Sequence, residues 1–335
     1  MRGAVFLLGY LVSAGALAAV DPPTAPMPKT RLLIAFASFR ERPLHPKVYF
    51  YEHDGVSEGK ILGSIDAVNQ RSDYHPSLSH DGRWCAFASE RENDVGRIQV
   101  WDVKEKKLLV GPLPGDYPGL NQSPNGQLGP SLSGDGKLVA FAAWARPGTG
   151  SRWDVLLYDL AAKKLVDLPG VNTPNFDERM PALSGDGRYL AYTTNARGGA
   201  GLTDIYLFDR QEKKIDTLPE MNSPNMDVEP ALSADGRLIA FVSDRAGGAG
   251  GRDIYLFDRV TRKFVPLPGL NSAAHEQSPS LSPDGRFIAF VSERIGGAGE
   301  RDIYLYDRKL EKLLPTPGLN SKQEDFDPCV IVLRD

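Results

Sequence analysis

The sequence predicts an all-β fold, namely a six-bladed β-propeller built from four-stranded blades. The main observation is a repeat that runs through the chain and carries an Asp-Gly pair in five copies, with the aspartates spaced 54, 51, 49 and 49 residues apart. A period of this length is typical of propeller blades. No helical stripe of ten residues appears within the copies, and both ends of the chain hold incomplete copies. The five aspartates are Asp81, Asp135, Asp186, Asp235 and Asp284.

Each copy contains the signals of four short strands. It reads P-x-L-S, an Asp-Gly turn, an apolar run such as LIAFVS, a Gly-rich loop, a segment such as DIYLFD, a charged turn and a final short apolar segment. Asp-Gly favours a tight hairpin because glycine adopts positive φ and aspartate hydrogen-bonds the turn backbone. The nearly continuous apolar runs indicate strands covered on both faces, as expected when a blade packs between two neighbours.

The chain ends predict the number of blades. The segment RLLIAFAS from Arg31 matches the second strand of a copy but has no first strand before it. The C-terminal DPCVIVLRD from Asp327 supplies a first strand and no other. We expect this last strand to complete the N-terminal blade, so that residues 31–335 form a closed ring of six blades without exposed sheet edges at the junction.

The N-terminal residues 1–18 have the features of a secretory signal peptide. Arg2 precedes a short apolar run, and Ala16 and Ala18 form an A-x-A-like cleavage site. Residues 19–30 form a Pro-rich linker. The alternative is a membrane anchor, but the prolines end the apolar helix and no cysteine follows to carry a lipid. We therefore expect a periplasmic or secreted protein without a membrane span in the mature chain.

The motifs P-x-L-S-x-D-G-R, I-A-F-x-S-x-R and D-I-Y-L-x-D resemble those of the TolB-like propellers, in the WD40-like repeat class. The resemblance covers residues 31–335, whereas the N-terminal α/β domain of TolB itself has no counterpart before the first strand. It implies a six-bladed periplasmic propeller and, as a partner class, peptidoglycan-associated lipoproteins. Because the same fold serves unrelated activities, the resemblance leaves the function open.

One face of the predicted ring carries most of the irregular sequence. We call it the top face; it bears the segments that precede each P-x-L-S strand and the Gly-rich loops. Three residues before each proline stands an acid or, once, an amide, and we predict that these six residues ring the channel mouth. They are Asp73, Gln127, Glu178, Asp227, Glu276 and Asp325. Their carboxylates suit a cationic partner, a basic peptide or Ca²⁺.

A structural role for this acidic ring is the alternative. An arginine follows the second strand in every copy and would pair with the acid of its own blade, because a feature inherited by all repeats first serves the blade itself. These arginines are Arg40, Arg91, Arg146, Arg197, Arg245 and Arg294.

The third blade departs from the pattern of the others. Its long loop AWARPGTGSRWD contains Trp144 and Trp153, which we predict either to stack on a ligand or to pack between blades. The recurring asparagines and the glycines of the GGAG loops are interpreted as structural, since a phosphate loop needs a following helix. Cys85 and Cys329 replace apolar or small residues of the repeat, so we expect free thiols.

These features favour a non-enzymatic scaffold that docks an envelope protein or peptide on its acidic top face. The alternatives are a carbohydrate-active lyase or hydrolase that uses mouth carboxylates, and a purely structural repeat. No G-x-S-x-G elbow is present, and His75 and His275 have no histidine partners in neighbouring blades. A net charge of −4 argues against nucleic acid as a partner. We expect a monomer without a cofactor. Ca²⁺ would be bound only if the carboxylates of the mouth form a calcium site.

Overall fold

The computed structural model describes residues 30–41, 44–65, 72–90, 96–110, 127–144 and 153–333. These ranges form six four-stranded antiparallel sheets, which are the six predicted blades. The predicted signal peptide and residues 19–29 of the linker lie outside the described residues. In the described ranges, no helix is long and apolar enough to cross a membrane.

Each of the first three blades begins with its innermost strand at the channel and continues outwards. The first blade consists of β24 (Asp325–Leu333), β1 (Arg31–Ser38), β2 (Lys47–His53) and β3 (Gly59–Ser64). The second consists of β4 (Asp73–Leu78), β5 (Trp84–Ser89), β6 (Arg97–Asp102) and β7 (Lys107–Val110). The third consists of β8 (Gln127–Leu132), β9 (Leu138–Trp144), β10 (Trp153–Asp159) and β11 (Lys164–Val166).

The remaining blades follow the same order. The fourth consists of β12 (Glu178–Leu183), β13 (Tyr189–Thr194), β14 (Asp204–Asp209) and β15 (Lys214–Asp216). The fifth consists of β16 (Asp227–Leu232), β17 (Leu238–Ser243), β18 (Asp253–Asp258) and β19 (Lys263–Val265). The sixth consists of β20 (Glu276–Leu281), β21 (Phe287–Ser292), β22 (Asp302–Asp307) and β23 (Lys312–Leu314).

The ring closes through the two ends of the chain, as the sequence predicts. Strand β24 pairs antiparallel with β1, with Ile34 opposite Val330 and Leu33 opposite Ile331. Ile34 packs with residues of the sixth blade and Leu33 with residues of the second, including Phe87. Alternate residues of β1 thus contact opposite neighbours, which explains why its sequence is apolar without interruption.

Every inner strand contains the same bulge. The ladder between the first and second strands of a blade shifts register around the residue that precedes the proline, and that residue lies in the left-handed region. For a residue other than glycine this conformation costs about 1 kcal/mol, which the ladder on both sides must offset. The six residues are His75, Gly129, Met180, Glu229, Ser278 and Asp327, with φ between 51° and 57°.

Side chains of the inner strands also connect neighbouring blades. The hydroxyl oxygens of Ser77, Ser131 and Ser280 each accept a backbone N–H of the next inner strand at 2.9 Å. Cys329 Sγ accepts the Leu78 N–H in the same way at 3.2 Å. Both cysteines are free thiols, as expected from the sequence.

Removal of the C-terminal strand should open the ring. A chain that ends at residue 324 exposes the edge of β1 and the apolar contacts of Val330 and Ile331, which are 1% and 2% exposed in the intact protein. Each such side chain contributes roughly 1.5–3 kcal/mol when buried. We expect loss of cooperative thermal unfolding, measured by circular dichroism, and aggregation, measured by size-exclusion chromatography.

A peptide supplied in trans provides the control for this deletion. A synthetic peptide of residues 325–335 should restore a cooperative transition, whereas the same peptide with Val330→Asp and Ile331→Asp should not. Equal melting curves for the full and shortened chains would show that β24 does not close the ring in solution.

Candidate functional site

The six residues predicted to ring the channel mouth each begin an inner strand. All six are buried, with exposed fractions between 0% and 3%. None of them lines the cavity that the inner strands surround at the top of the channel. They are Asp73, Gln127, Glu178, Asp227, Glu276 and Asp325. This placement differs from an open mouth, because the side chains extend into their own blades instead of towards the axis.

The fifth blade shows how such a carboxylate is satisfied. Arg245 Nη2 donates to Asp227 Oδ1 at 2.6 Å and to the Met221 carbonyl at 2.8 Å. The guanidinium lies 5.2 Å from the ring centroid of Phe241 and 4.6 Å from that of Tyr255. Because the arginine both pairs with the buried charge and covers aromatic rings, among them also Phe264, the acid has a complete structural role in its blade.

The same arrangement recurs in two other blades. Arg294 Nη2 lies 3.1 Å from Glu276 Oε1, and Arg40 Nη2 lies 2.8 Å from Asp325 Oδ1. In the second blade, Ser89 Oγ donates to Asp73 Oδ1 at 2.5 Å, while Arg91 lies outside the described residues. These contacts support the structural alternative for the acids that have them.

Glu178 of the fourth blade lacks the arginine. In its copy the sequence after the second strand is Asn-Ala-Arg in place of Asp-Arg-Ala, so that Arg197 stands one residue later and is exposed. Glu178 instead accepts bonds from Thr173 Oγ1 at 2.7 Å and Thr194 Oγ1 at 3.2 Å. Burial raises the pKa of Glu178 to about 7, and the charge of Asp154 acts in the same direction.

In the third blade the arginine is displaced by one residue as well, and a neutral residue stands at the position of the acid. Arg146, outside the described residues, also stands one residue later in the sequence than in the other copies, and Gln127 replaces the acid. An amide avoids the burial of a charge without a cationic partner. Unlike the carboxylates of the other blades, the buried Gln127 Oε1 has no hydrogen-bond partner among the described residues.

A cavity of about 350 Å³ occupies the top half of the channel. The residues that precede the six prolines, all in the left-handed region, form a ring around this cavity. The six prolines line both this cavity and a smaller one of about 170 Å³ beneath it. Around the axis, the ring residues of the fifth, sixth, first and second blades are Glu229, Ser278, Asp327 and His75. Those of the third and fourth are Gly129 and Met180. One side of the cavity is therefore polar and the other apolar.

Two carboxylates define the polar side. Asp327 Oδ2 accepts the His75 N–H at 3.2 Å and lies 3.5 Å from His75 Nε2. Glu229 Oε2 accepts the Ser278 N–H at 2.5 Å. Burial raises the pKa of Glu229, and the charge of Asp327 adds to this, whereas the Ser278 bond, Arg252 and His75 oppose it. The polar side thus brings two carboxyl groups and the His75 imidazole together at one edge of the cavity.

The apolar side of the cavity has open space at Gly129. A Cβ built on Gly129 would meet no atom within 4 Å. Leu128, Ala142 and Trp153 line the cavity beside it, and Met180 projects from the next blade with 41% exposure. The result is a largely hydrophobic wall, flanked by Arg179, opposite the two carboxylates.

The two tryptophans of the third blade form a pair. Trp144 and Trp153 are opposite each other in β9 and β10, with ring centroids 4.9 Å apart in an edge-to-face contact. Trp153 is 8% exposed and faces the cavity, and Arg179 lies 5.8 Å above its ring. The loop between them, residues 145–152, lies outside the described residues. Their predicted stacking on a ligand stays a prediction, and Trp153 is the member that reaches the channel.

The structural interpretation of the asparagines holds in the four copies that the structure describes. In these copies the side-chain Oδ1 accepts, and Nδ2 donates to, the backbone of the third strand of its blade. The four are Asn172, Asn222, Asn271 and Asn320, whereas Asn69 and Asn121 lie outside the described residues. In the described ranges, no group of three His, Cys, Asp or Glu residues is arranged to hold a metal ion.

Comparisons with known proteins bear on the fold. No family model matches the chain, and no curated protein matches it in sequence. TolB from Acinetobacter baumannii superposes with a TM-score of 0.61 at 20% identity, over 90% of this chain and 66% of that protein. This chain shares the TolB propeller fold. A putative TolB from Agrobacterium tumefaciens superposes with a TM-score of 0.54 at 17% identity, over 92% of this chain and 100% of that one.

The fold is not restricted to TolB proteins. Hydrazine synthase from Kuenenia stuttgartiensis superposes with a TM-score of 0.58 at 13% identity, over 91% of this chain and 47% of that one. Because identities at this level show the fold alone, the function of this TolB-like propeller has to be argued from its own residues.

Glu178 should make the stability of the propeller depend on pH. The pKa of Glu178 is about 7 in the folded state, against the usual 4.5. Between pH 4.5 and pH 7 the carboxyl is therefore protonated in the folded state and ionised in the unfolded state. Stability therefore falls as pH rises from about 4.5 to about 7. Glu178→Gln should remove this loss and raise the free energy of unfolding at pH 8 by roughly 3 kcal/mol relative to the native chain, with little difference at pH 4.5. Urea unfolding at both pH values measures this.

Glu276→Gln is the matched control, because Glu276 is equally buried but paired with Arg294. It should lower stability at pH 8, since the Arg294 guanidinium then lacks a carboxylate to balance its charge. A Glu178→Gln variant that is also destabilised at pH 8 would contradict the raised pKa of Glu178.

Proposed function

We propose that the chain is an exported TolB-like propeller that docks an envelope protein or peptide on its top face. The proposal rests on the TolB fold together with the signal-peptide pattern of residues 1–18. The resemblance of the sequence motifs supplies the partner class, a peptidoglycan-associated lipoprotein. The observation that carries the docking face is the channel mouth, where the blades differ from one another in residue type while sharing one backbone.

The contact surface that we propose differs in its residues from the buried acidic ring. Exposed acids stand on the top-face loops of the sixth blade, at Glu293 and Glu300. At the axis, Glu229 and Asp327 contribute carboxylates and Met180 an exposed apolar side chain. A partner with basic and apolar groups would complement this surface. Docking through such groups requires no chemical step by the propeller, so we propose a scaffold and not an enzyme.

Charge reversal on the top face should weaken partner binding. Glu293→Lys combined with Glu300→Lys replaces two exposed acids without disturbing a buried pair. We expect the Kd for the peptidoglycan-associated lipoprotein of the same organism to rise about tenfold, equivalent to about 1.4 kcal/mol. Surface plasmon resonance with the immobilised mature chain at physiological ionic strength measures this change.

The opposite face provides the control. Glu212→Lys combined with Glu311→Lys makes the same charge change in exposed turns between the third and fourth strands. This variant should bind as the native chain does. Equal losses in both double variants would indicate a general charge effect, and no binding by the native chain would overturn the partner class.

Export should remove the N-terminal residues. Expression of the full chain in a Gram-negative host should yield a periplasmic protein from which residues 1–18 have been cleaved, since these residues carry the A-x-A-like site. N-terminal sequencing of the purified protein tests this. A chain that retains Met1 and stays with the membrane fraction would favour the anchor.

A further inference from the structure

We propose that the upper channel cavity is a binding site for an organic cation that carries an ammonium or guanidinium group on an aromatic or aliphatic body. The proposal adds a small-molecule site to the docking function, and its cavity shares Glu229, Asp327 and Met180 with the axial part of the docking surface. It rests on the position of two carboxylates opposite a hydrophobic wall in one cavity.

The charge of the polar side favours a cation. Glu229 and Asp327 place two carboxyl groups on this side, and each accepts a backbone N–H through one oxygen, which leaves the other oxygen to accept from a ligand. Arg179 lines the cavity on its far side but already pairs with Asp177. An anion would therefore meet two carboxylates, whereas an ammonium group gains from both.

The hydrophobic wall favours an apolar body. Leu128, Trp153 and Met180 line the side opposite the carboxylates, and the missing side chain of Gly129 leaves room beside them. A hydrated inorganic cation gains nothing from such a wall. An arylalkylamine would place its amine at Glu229 and Asp327 and its ring against Trp153, which removes apolar surface from water.

The size and shape of the cavity suit a small ligand. Its volume of about 350 Å³ lies at the lower end of the range of about 300–1,000 Å³ for small-molecule sites. Six proline rings line its floor, where it meets the smaller lower cavity. A ligand from the top face would therefore rest on a rigid, largely apolar floor.

Phenethylamine is the probe that tests the proposal, with 2-phenylethanol as its neutral analogue. Isothermal titration calorimetry of the mature chain at pH 7 should give one phenethylammonium per chain, and 2-phenylethanol should bind at least tenfold more weakly. This comparison needs no variant. Equal binding of the two compounds, or no saturable binding of the amine, would overturn the proposal.

Two substitutions address the polar side. Glu229→Gln and Asp327→Asn keep an acceptor oxygen for the backbone N–H that each carboxylate holds. Together they should weaken phenethylammonium binding at least tenfold and leave 2-phenylethanol unchanged. Glu311→Gln, the same change in an exposed turn on the opposite face, should have no effect. Unchanged amine affinity in the folded double variant would overturn the role of the carboxylates.

Gly129→Met addresses the apolar side. The neighbouring ring position holds Met180 at a φ of 51°, close to the 57° of Gly129, so the backbone accommodates methionine. Its side chain would fill the space beside Trp153 and should weaken both probes at least tenfold. Thermal unfolding followed by circular dichroism confirms that the variant folds. Undiminished binding to the folded variant would place the probe outside this cavity and overturn the proposal.

Discussion

The pairing of β24 with β1 is the constraint on which the propeller depends. An open chain of six blades would leave the first and sixth blades each with one uncovered face, and the inner strands would have no common axis. In the closed ring, Arg40 at the end of β1 donates to Asp325 at the start of β24 and to the Leu319 carbonyl. In the fifth and sixth blades the acid–arginine pair lies within one continuous segment of the chain. At the ring closure the same pair joins two residues that are 285 apart in sequence.

The acid–arginine pairs also determine which acids are available for other roles. A buried ion pair offsets its desolvation only when its geometry and additional hydrogen bonds are favourable, and the pairs of the first, fifth and sixth blades meet this condition. Where the arginine stands one residue later, the blade contains either a neutral amide at Gln127 or a carboxyl with a raised pKa at Glu178. Where the arginine is displaced by one residue, Glu178 is held by threonine hydroxyls instead, and burial raises its pKa.

The sequence predicts the fold well because strands, turns and blade closure depend on local patterns that repeat. The Asp-Gly turns, the apolar runs and the unmatched first strand at Asp327 give the six blades and their order. The site is harder to predict because of the bulge in each inner strand. In a regular strand, Asp73 and His75 would lie on the same face. With His75 in the left-handed region, only His75 reaches the cavity and Asp73 stays inside its blade.

The residue that precedes the proline of each inner strand differs in type from copy to copy, and a comparison of the repeats is enough to show this. At the Asp-Gly turns, five copies need a left-handed residue and all five contain glycine, with φ between 65° and 71°. The ring position needs a similar conformation in six blades but contains six different residue types. If backbone stability decided the choice, glycine or asparagine would recur there. The chain instead accepts strain to place a histidine, a methionine, two acids and a serine around the channel and glycine only beside Trp153. The differences among the copies thus support the proposed binding site in the channel.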